Sequence, residues 1–550
     1  MTHIPANTPP APEESSEQSV HRLEAQRRAN RDAIAALGID PYGGRTVDLM
    51  TIVEARSKFD EEANAAHQAA GKAPPPGYVD RRPVVKVAGR IVLKRDGGKL
   101  MWMQIRDWTS GPKEAPEGLA PASDGSATRP LEPPAHDLQV AVSLADVAAP
   151  GFDLSKSLDL GDVIIVTGPI MKTKAGEVTI WASRVEMACK SLAPPPEKWK
   201  GLHDVEIRYR RRYIDLYANP ETMRAFMLRS RLASLIRRFL EAREFVEVET
   251  PTLQVQAGGA AAKPFQTHLN ALGIDLFMRI APELYLKRLL VGGMPRVFEW
   301  SRNFRNEGMD KSHNPEFSMI ELYEAFGDYN TMMELTESLF RECAKEVAGG
   351  ADDLRLPFGE WMIDFGSTFV RVTYGELFER ALGFPMTDAA RVVQEAKRRG
   401  LPVVSKTGTP LDPILIVNEL FDVAEESIDP SRPTFVLDYP APLCPLTRPK
   451  KSNPSVAERF ELFVGGMEMA NAYTELNDPD IQEAKFREQL AGIGEDESTF
   501  RNFDEDFVYA LKVGMPPAGG LGIGIDRMMM VLLNQRTIRD VILFPMMRPV

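Results

Sequence analysis

The sequence contains few cysteines and no long apolar run. Its 550 residues include three cysteines, Cys189, Cys343 and Cys444, which lie far apart. Their spacing excludes a disulfide framework and a cysteine-based metal site, and it is typical of a reducing compartment. No apolar run approaches the length of about 20 residues that crosses a bilayer. We therefore expect a protein with no membrane partner.

The sequence also has fewer positively charged residues, 66, than negatively charged residues, 78. The net charge of −12 argues against indiscriminate nucleic-acid binding, so any RNA contact must come from local basic patches. Residues 1–18, MTHIPANTPPAPEESSEQ, contain no apolar signal core, and we expect a disordered N-terminus and a cytoplasmic protein. A hydrophobic fraction of 43% is ordinary for a globular protein, and the length predicts several domains.

The segment FEWSRNFRNEGMDKSHNPEFSMIELYEAFGDY predicts two antiparallel strands joined by a polar loop. Before the loop the residues alternate, with Arg305 and Glu307 on one face. After it, Glu321 and Tyr323 share a face. Buried unpaired charge is costly, so this face is either an exposed ion-paired surface or the wall of a polar ligand site. Periodicity alone leaves both interpretations open.

The residues of this segment resemble those of a known family. FRNEG, a loop, HNPEF and MIELY resemble motif 2 of class II aminoacyl-tRNA synthetases in the lysyl form, which belongs to subclass IIb. The resemblance covers roughly residues 84–549. It implies that Arg305 bridges the amino-acid carboxylate and the ATP α-phosphate. It also implies that Glu307 and His313 lie at the ATP end and that Phe317 lies under adenine.

The N-terminal part predicts helices followed by a barrel. Residues 19–37 predict a basic helix, whose charged face is either solvated or a contact for the tRNA backbone, and residues 51–70 predict a second helix. Both belong to an extension that we place at residues 19–77. Five strand-like segments within residues 78–195 predict a small barrel of the OB type. Residues 109–137, rich in Pro, Gly, Ala and Ser, predict a disordered insertion in it.

Basic residues lie around Trp102 in the predicted barrel. A cationic groove with a stacking aromatic ring is what single-stranded RNA binding requires, although a single Trp on a strand is more often part of a core. The barrel resembles the anticodon-binding domain of the subclass IIb synthetases. The resemblance implies that Arg90, Trp102 and Gln139 contact the anticodon.

Two further segments resemble parts of the same family. Residues 221–242 predict an amphipathic helix, and the strand FVEVET and Pro251 follow it, as in class II motif 1. That motif implies a homodimer, although the arginines of the helix fit a solvated face as well. The segment RIAPELYLKRLLVGG predicts a helix that Glu283 opens. An acidic residue there is a routine partner of the helix dipole, but the resemblance implies that Glu283 binds a substrate ammonium.

The segment RFELFVGGMEMANAYTE predicts a hairpin that turns at its two glycines. This pairing puts Glu461 and Glu468 on one side, where two carboxylates suit Mg²⁺ bound to phosphates. Regular alternation would point Asn471 away from Glu468. The family places both in one pocket, so we predict a bulge near Met469 or Ala470. Without the resemblance, the segment would be an ordinary edge hairpin.

Near the C-terminus, GLGIGIDR predicts a strand with alternating glycines and the start of a helix. Such a strand permits the close approach of a flat ligand. The segment resembles class II motif 3, which implies that Arg527 and Phe317 sandwich adenine. Residues 351–430 predict a mainly helical insertion in which we find no chemistry.

We therefore predict an α+β protein in which an antiparallel sheet flanked by helices forms a catalytic domain at residues 196–550, preceded by the barrel. The resemblance implies an enzyme that joins L-lysine to its tRNA with ATP and Mg²⁺. Two alternatives stay open: a synthetase for aspartate or asparagine, and a non-catalytic paralogue that binds RNA. The pair of acids Glu283 and Glu475 favours a cationic substrate.

The resemblance also implies a set of site residues. The catalytic residues would be Arg305 and Arg527, and the Mg²⁺ ligands Glu461 and Glu468. Lysine would contact Gly259, Glu283, Glu321, Tyr323, Asn471, Tyr473 and Glu475. ATP would contact Arg305, Glu307, His313, Asn314, Phe317, Glu461, Glu468, Gly524 and Arg527.

Overall fold

The computed structural model describes residues 16–71, 75–111, 135–195, 202–260, 262–405, 408–491 and 503–549. These residues form two compact units, one ending at Arg224 and one beginning at Ala225. Most of the predicted disordered N-terminus (residues 1–15) and most of the predicted insertion (residues 112–134) lie outside the described residues. Within the described ranges, we find no helix with the length and apolarity needed to cross a membrane.

The first unit contains the N-terminal helices and a β-barrel. In chain order its elements are α1 (Ser16–Ala36), α2 (Ile52–Ser57), α3 (Glu61–Ala70), β1 (Val84–Asp96), β2 (Leu100–Arg106), β3 (Ser110–Gly111), β4 (Ala135–His136), β5 (Leu138–Ser143), α4 (Ala149–Lys156), β6 (Val163–Lys172), β7 (Val178–Trp181), β8 (Arg184–Cys189), α5 (Val205–Arg210), α6 (Arg212–Ala218) and the first residues of α7 (Pro220–Glu241).

The prediction of a single helix at residues 51–70 is wrong, because two short helices occupy this stretch. Thr51 caps α2 in a capping box with Glu54. Asp60 caps α3 by accepting a hydrogen bond from the backbone N–H of Ala63 at 2.9 Å. A side chain that caps a new helix requires extended backbone at its own position, so the chain leaves the helical conformation before Asp60.

The predicted OB-type barrel is confirmed. Strands β1, β2, β5, β7 and β6 form a closed ring, because β1 pairs with both β2 and β6. The last predicted strand segment is in fact two strands, and β8 extends the sheet beyond β6. The break has a simple cause: Ala182 donates its N–H to Ala141 on the β5 side, whereas Ser183 donates to Thr167 on β6.

Polar residues that interrupt the apolar face of α1 bind the barrel. The guanidinium of Arg27 donates to the carbonyl oxygens of Leu160 at 2.9 Å and Ser191 at 3.1 Å. The amide of Asn30 donates to the carboxylate of Asp159 at 2.9 Å. These two polar positions of α1 are therefore packing contacts of the unit.

The second unit is built on a large sheet. After α7 its elements are β9 (Val246–Glu247), β10 (Leu253–Gln254), β11 (Gln266–Leu269), β12 (Ile274–Met278), α8 (Glu283–Val291), β13 (Arg296–Phe304), β14 (Glu316–Ala325), α9 (Tyr329–Val347), β15 (Arg355–Phe358), β16 (Trp361–Asp364), β17 (Val370–Thr373), α10 (Tyr374–Leu382), α11 (Ala389–Arg399), α12 (Pro413–Glu425), β18 (Thr434–Leu437), β19 (Pro449–Lys450), β20 (Asn453–Ala457), β21 (Arg459–Val464), β22 (Met467–Thr474), α13 (Pro479–Ala491), α14 (Glu505–Gly514), β23 (Ala518–Gly524), α15 (Ile525–Leu532) and α16 (Ile538–Val541).

The main sheet has eight strands in the order β17-β18-β21-β22-β23-β14-β13-β9. All neighbours are antiparallel except the outer pairs β17–β18 and β13–β9. Side chains of α7, α9 and α15 pack with those of the sheet into one apolar core. The antiparallel sheet flanked by helices, which the sequence predicted, is therefore confirmed.

The region at residues 351–430 is less helical than predicted. It begins with the hairpin β15–β16. Strand β17 follows and joins the edge of the main sheet beside β18. The hairpin is stabilised by burial of Leu356, Phe358 and Ile363 in the main core. The helical part comprises α10, α11 and α12, which share a separate core. Short strands of this kind alternate too briefly for a clear period-2 signal.

Candidate active site

One cavity of about 480 Å³ lies over the middle strands of the main sheet. Strands β14, β23 and β22, the start of α8 and the segment between β13 and β14 supply its walls. It brings together every predicted lysine and ATP residue except Glu475. The predicted residues that line it are Gly259, Glu283, Arg305, Glu307, His313, Asn314, Phe317, Glu321, Tyr323, Glu461, Glu468, Asn471, Tyr473, Gly524 and Arg527.

Strands β13 and β14 pair as predicted, but β13 is shorter than the alternation suggested. It ends at Phe304, so Arg305 and Glu307 lie in the connecting segment rather than on a strand. The ladder continues by one bond, because the N–H of Arg305 donates to the carbonyl of Pro315 at 2.9 Å. This bond holds the backbone of Arg305 next to the first residues of β14.

The predicted bulge is confirmed at Met469. On β21, Leu462 pairs with Ala470 and Phe463 pairs with Glu468, so Met469 has no partner. Paired residues of an antiparallel sheet share a face, and one extra residue reverses the alternation. Glu468 therefore lies on the same face as Asn471, and both line the cavity.

Glycines of β23 form the floor of the cavity between two rows of polar side chains. Gly522 lies between Asn471 of β22 and Glu321 of β14, and Gly520 lies between Tyr473 and Tyr323. A Cβ at Gly520 would lie 1.9 Å from Oε1 of Glu475 and 2.6 Å from the Tyr323 ring. Only glycine fits at this position.

Acidic groups gather at the end of the cavity next to α8. Glu283 is the first residue of that helix, as predicted, and its Oε1 accepts a hydrogen bond from the Tyr473 hydroxyl at 2.7 Å. Gly259 has a φ of 84°, and a Cβ there would lie 3.0 Å from the Glu283 Cβ. Burial, followed by the charge of Glu283, raises the pKa of Glu321 well above its usual range.

Glu475 does not line the cavity, in contrast to the other predicted residues. It is fully buried next to Gly520, on the face of the sheet that carries Tyr323, and it forms an ion pair with Lys287. Lys287 also contacts Glu283 at 2.6 Å. The sequence interpretation missed Lys287, although its spacing of four residues from Glu283 on a helix was a signal for such a pair.

Arginines occupy the other end of the cavity. The guanidinium of Arg305 lies 5.1 Å from the centre of the Phe317 ring, and its Nε has no hydrogen-bond partner among the described residues. Burial lowers the pKa of Arg305. Arg527 donates to the backbone oxygen of Glu468 at 2.9 Å and lies 2.8 Å from Nε2 of His313. Because arginine only donates, Nε2 accepts and the other ring nitrogen carries the proton.

Glu461 and Glu468 lie on the same face of the bulged hairpin. Burial, and then the charge of Glu461, raises the pKa of Glu468, while Arg527 opposes the rise. Glu461 accepts a hydrogen bond from the Tyr439 hydroxyl at 2.7 Å and pairs with Arg459. Arg459, which the sequence interpretation missed, lines the cavity and also donates to Asn471 at 3.1 Å.

In the first unit, the predicted anticodon residues share one face of the barrel. Trp102 of β2 and Trp181 of β7 both flank Ala141 of β5, and their rings meet edge to face at 6.2 Å. Gln139 lies two residues before Ala141 on β5, so its side chain is on the same face. Trp181 was not singled out from the sequence, although it stands in the strand segment EVTIWASRVEM.

Arg90 lies apart from the two tryptophans. It pairs with Arg106, four residues along β2 from Trp102. Its guanidinium donates to the carbonyl oxygen of Gly161 at 2.6 Å and lies 4.6 Å from the centre of the Tyr217 ring. The structure therefore brings Trp102 and Gln139 together and places Arg90 at the far end of the same face.

Comparison with known proteins gives a consistent result. A sequence model described as "tRNA synthetases class II (D, K and N)" matches residues 204–548. The chain is 42% identical to a lysine–tRNA ligase of Carboxydothermus hydrogenoformans over 97% of this chain and 99% of that protein. It is 48% identical to the heat-inducible lysine–tRNA ligase of Escherichia coli over 72% of this chain and 78% of that protein. The chain therefore belongs to the class II tRNA synthetases, and within them to the lysine–tRNA ligase family.

Proposed function

We infer that the chain is a lysine–tRNA ligase. Such an enzyme activates lysine with ATP to give lysyl-adenylate and pyrophosphate, and then transfers lysine to the 3′ end of its tRNA. The observation that supports this most directly is the division of one cavity into an acidic end and an arginine-rich end. An aspartyl or asparaginyl activity is not favoured, because the acidic end would repel the aspartate side chain and would have no cationic partner in the neutral asparagine side chain.

We propose that the lysine side chain enters the acidic end. Its ammonium would lie near Glu283 and Glu475, and its stem between Tyr323 and Tyr473. Gly259, Glu321 and Asn471 would complete the contacts, with Glu321 facing the α-amino group. Charge-assisted hydrogen bonds of this kind are roughly twice as strong as neutral ones. A neutral amino acid of the same length would leave buried carboxylates without a partner.

We propose that ATP occupies the arginine-rich end. Adenine would lie between Phe317 and Arg527, where ring stacking and a cation–π contact both favour it. Arg305, Glu307 and His313 would contact the phosphates and the ribose, together with Asn314 and Gly524. The buried Nε of Arg305 is available for this purpose because no described residue accepts its hydrogen.

The proposed first step needs no protein nucleophile. An oxygen of the lysine carboxylate forms a bond to the α-phosphorus, and the bond from that phosphorus to the bridging oxygen breaks. Pyrophosphate leaves with the electron pair. Arg305 and Arg527 would hold the reacting groups together and stabilise the charge that develops on the α-phosphate. In the second step, the terminal ribose hydroxyl of the tRNA displaces AMP from the lysyl carbonyl.

We propose that Glu461 and Glu468 hold Mg²⁺ when ATP is bound. Both carboxylates line the cavity, burial and then the charge of Glu461 raise the pKa of Glu468, and oxygen ligands suit Mg²⁺. In the described part of the chain, no group of three or more acidic, histidine or cysteine side chains could hold a metal alone. Water and phosphate oxygens would complete the coordination. The ion would neutralise phosphate charge.

We propose that the barrel binds the anticodon through Trp102, Gln139 and Arg90, with Trp181 beside them. Bases stack readily on exposed aromatic rings, and Trp102 and Trp181 are both half-buried on an outer face. We also retain the domain division predicted from the sequence, with the barrel at residues 78–195 and the catalytic domain at residues 196–550, and with the 351–430 segment as an insertion.

A homodimer in the cytoplasm completes the proposal. Around the segment that resembles motif 1, Val246, Leu253 and Val255 are exposed, and an apolar surface of this kind favours association. Sedimentation equilibrium would test this, and a monomer at micromolar concentration would contradict it. The cytoplasm supplies both ATP and tRNA, and cell fractionation would test this location.

An ATP–pyrophosphate exchange assay with each of the standard amino acids tests the activity. We expect exchange with lysine alone, and only when Mg²⁺ is present. Exchange with aspartate or asparagine instead of lysine would replace the assignment with another member of the same class. Tight tRNA binding without any exchange would indicate a non-catalytic paralogue.

A further inference from the structure

Lys287 is a fully buried lysine at the closed end of the cavity. Its side chain has no solvent exposure, although it stands only one helical turn after Glu283. Its ammonium forms ion pairs with Glu283 and Glu475, and the centres of the Tyr473, Tyr323 and Phe507 rings lie 5.4 to 6.0 Å from it. The protein has therefore built an internal site for one ammonium group next to the proposed site for the substrate ammonium.

Lys287 uses only part of the capacity of the two carboxylates. It contacts Oε1 of Glu283 and Oε2 of Glu475. Oε1 of Glu475 is buried and has no hydrogen-bond partner in the described part of the chain. That atom lies against Gly520, which lines the cavity. An unsatisfied buried carboxylate oxygen is costly, so this oxygen is arranged for a donor that arrives with a ligand.

We infer that Lys287 is a positioning residue for the cationic amino acid: its ammonium holds Oε2 of Glu475 and thereby turns the free Oε1 of that carboxylate towards the substrate ammonium. This inference rests on the proposed function. It assigns the specificity for a cationic side chain to three residues rather than to the two carboxylates alone.

The charge balance explains why a third residue is needed. Two adjacent buried carboxylates repel each other, and one of them takes up a proton unless a cation lies between them. Burial raises the pKa of Glu475, and the charge of Lys287 opposes this rise. For Lys287 itself, burial favours the neutral form, but Glu283 and Glu475 outweigh it and the pKa is raised. When the arriving substrate ammonium favours the ionised form of Glu475, the two carboxylates and Lys287 together carry one net negative charge, which that ammonium neutralises.

Steady-state exchange kinetics on three variants test the inference: Lys287→Met, Glu475→Gln and the double variant that carries both changes. In Lys287→Met we expect the lysine KM to rise by about ten-fold or more, while the ATP KM stays within about two-fold of the wild type. Lys512→Met is the matched control. Lys512 is an exposed lysine whose partner is Glu483 at 3.3 Å, and its loss should change neither KM.

The double variant shows whether Lys287 acts through Glu475. If it does, the lysine KM of the double variant should stay within about three-fold of that of Glu475→Gln, because coupled residues are not additive. The double variant removes one positive and one negative charge and so keeps the net buried charge of the wild type; we therefore expect it to fold even if Lys287→Met alone leaves too much buried charge to fold. The comparison of the double variant with Glu475→Gln then carries the test by itself.

Three results would overturn the inference. They are a wild-type lysine KM in folded Lys287→Met, an equal rise of both KM values in that variant, and effects of the two changes that multiply independently. A wild-type enzyme that shows no lysine-dependent exchange would instead contradict the proposed function. These measurements therefore distinguish a failure of the inference about Lys287 from a failure of the proposed function.

Discussion

The hydroxyl of Tyr473 lies 2.7 Å from Oε1 of Glu283, and this hydrogen bond links the end of strand β22 to the first turn of helix α8. Lys287 contacts the same carboxylate oxygen at 2.6 Å. Glu283 therefore has two internal donors before any ligand arrives, and its orientation is fixed in advance. A site held in this way requires little reorganisation when the substrate binds.

Glu283→Gln should reduce lysine binding selectively. The change keeps the shape of the side chain but removes the charge that faces the substrate ammonium. Loss of a charged hydrogen bond costs about 1.5–3 kcal/mol, so the lysine KM should rise roughly 10- to 100-fold while the ATP KM stays almost constant. Exchange kinetics measure both values. Glu316→Gln, at an exposed position of β14, is the control. An unchanged lysine KM in Glu283→Gln would remove the main physical support for a lysine pocket.

Glu468→Gln should raise the Mg²⁺ concentration that half-maximal exchange requires and should slow adenylate formation. The reason is that the amide cannot replace an ionised oxygen as a ligand for a hard cation. A Mg²⁺ titration of the exchange rate measures the effect. Glu419→Gln, on the exposed side of α12, is the control. A superimposable titration curve would exclude this carboxylate from the metal site.

Trp102→Ala should weaken tRNA charging without affecting adenylate formation. Loss of one stacked base costs about 1–3 kcal/mol, which should appear in the tRNA KM of the charging reaction. Trp108→Ala is the control, because Trp108 is an exposed tryptophan of the same unit outside the Trp102–Trp181 pair. If lysine-dependent exchange falls as much as charging does, Trp102 supports the fold of the barrel rather than the anticodon.

Glu425→Gln should stabilise the protein at alkaline pH. Burial, and then the charge of Glu461, raises the pKa of Glu425 to about 7. A raised carboxyl pKa favours the folded state below the unfolded pKa, and this contribution is lost as the pH rises through about 7. The variant should therefore melt at a higher temperature than the wild type at pH 8 and show a smaller difference at pH 5. Glu426→Gln, at the exposed neighbouring position, should show no such trend. A difference in Tm that does not vary with pH would contradict this prediction.

Much of the fold and of the cavity could be predicted from the sequence because regular patterns govern them. The five-stranded ring, the motif strands and the bulge at Met469 all follow from alternation combined with the family pattern. Lys287 could not be recognised in this way. A Glu–Lys pair four residues apart is common on solvated helix faces, and its burial depends on Glu475, which is 188 positions away in the chain.

Short elements were the other source of error. The strands at the start of the 351–430 region contain four residues each, too few to show a period, and the partner of β17 is β18, which lies beyond the three helices of the region. The break before Asp60 depended on one capping side chain, which competes with a helical pattern that continues across it. The roles of Trp102, Gln139 and Arg90 towards tRNA stay predictions.

The unpaired residue at Met469 lets a strand of irregular spacing present both polar side chains to the cavity. Glu468 and Asn471 are three positions apart, and a regular strand would place them on opposite faces. Because Met469 has no partner on β21, both residues face the cavity, while the methionine side chain packs in the main apolar core. A strand without Met469 would leave the two residues two positions apart and therefore also on one face, so the extra residue adds a local bend and twist to β22 without changing which polar groups meet.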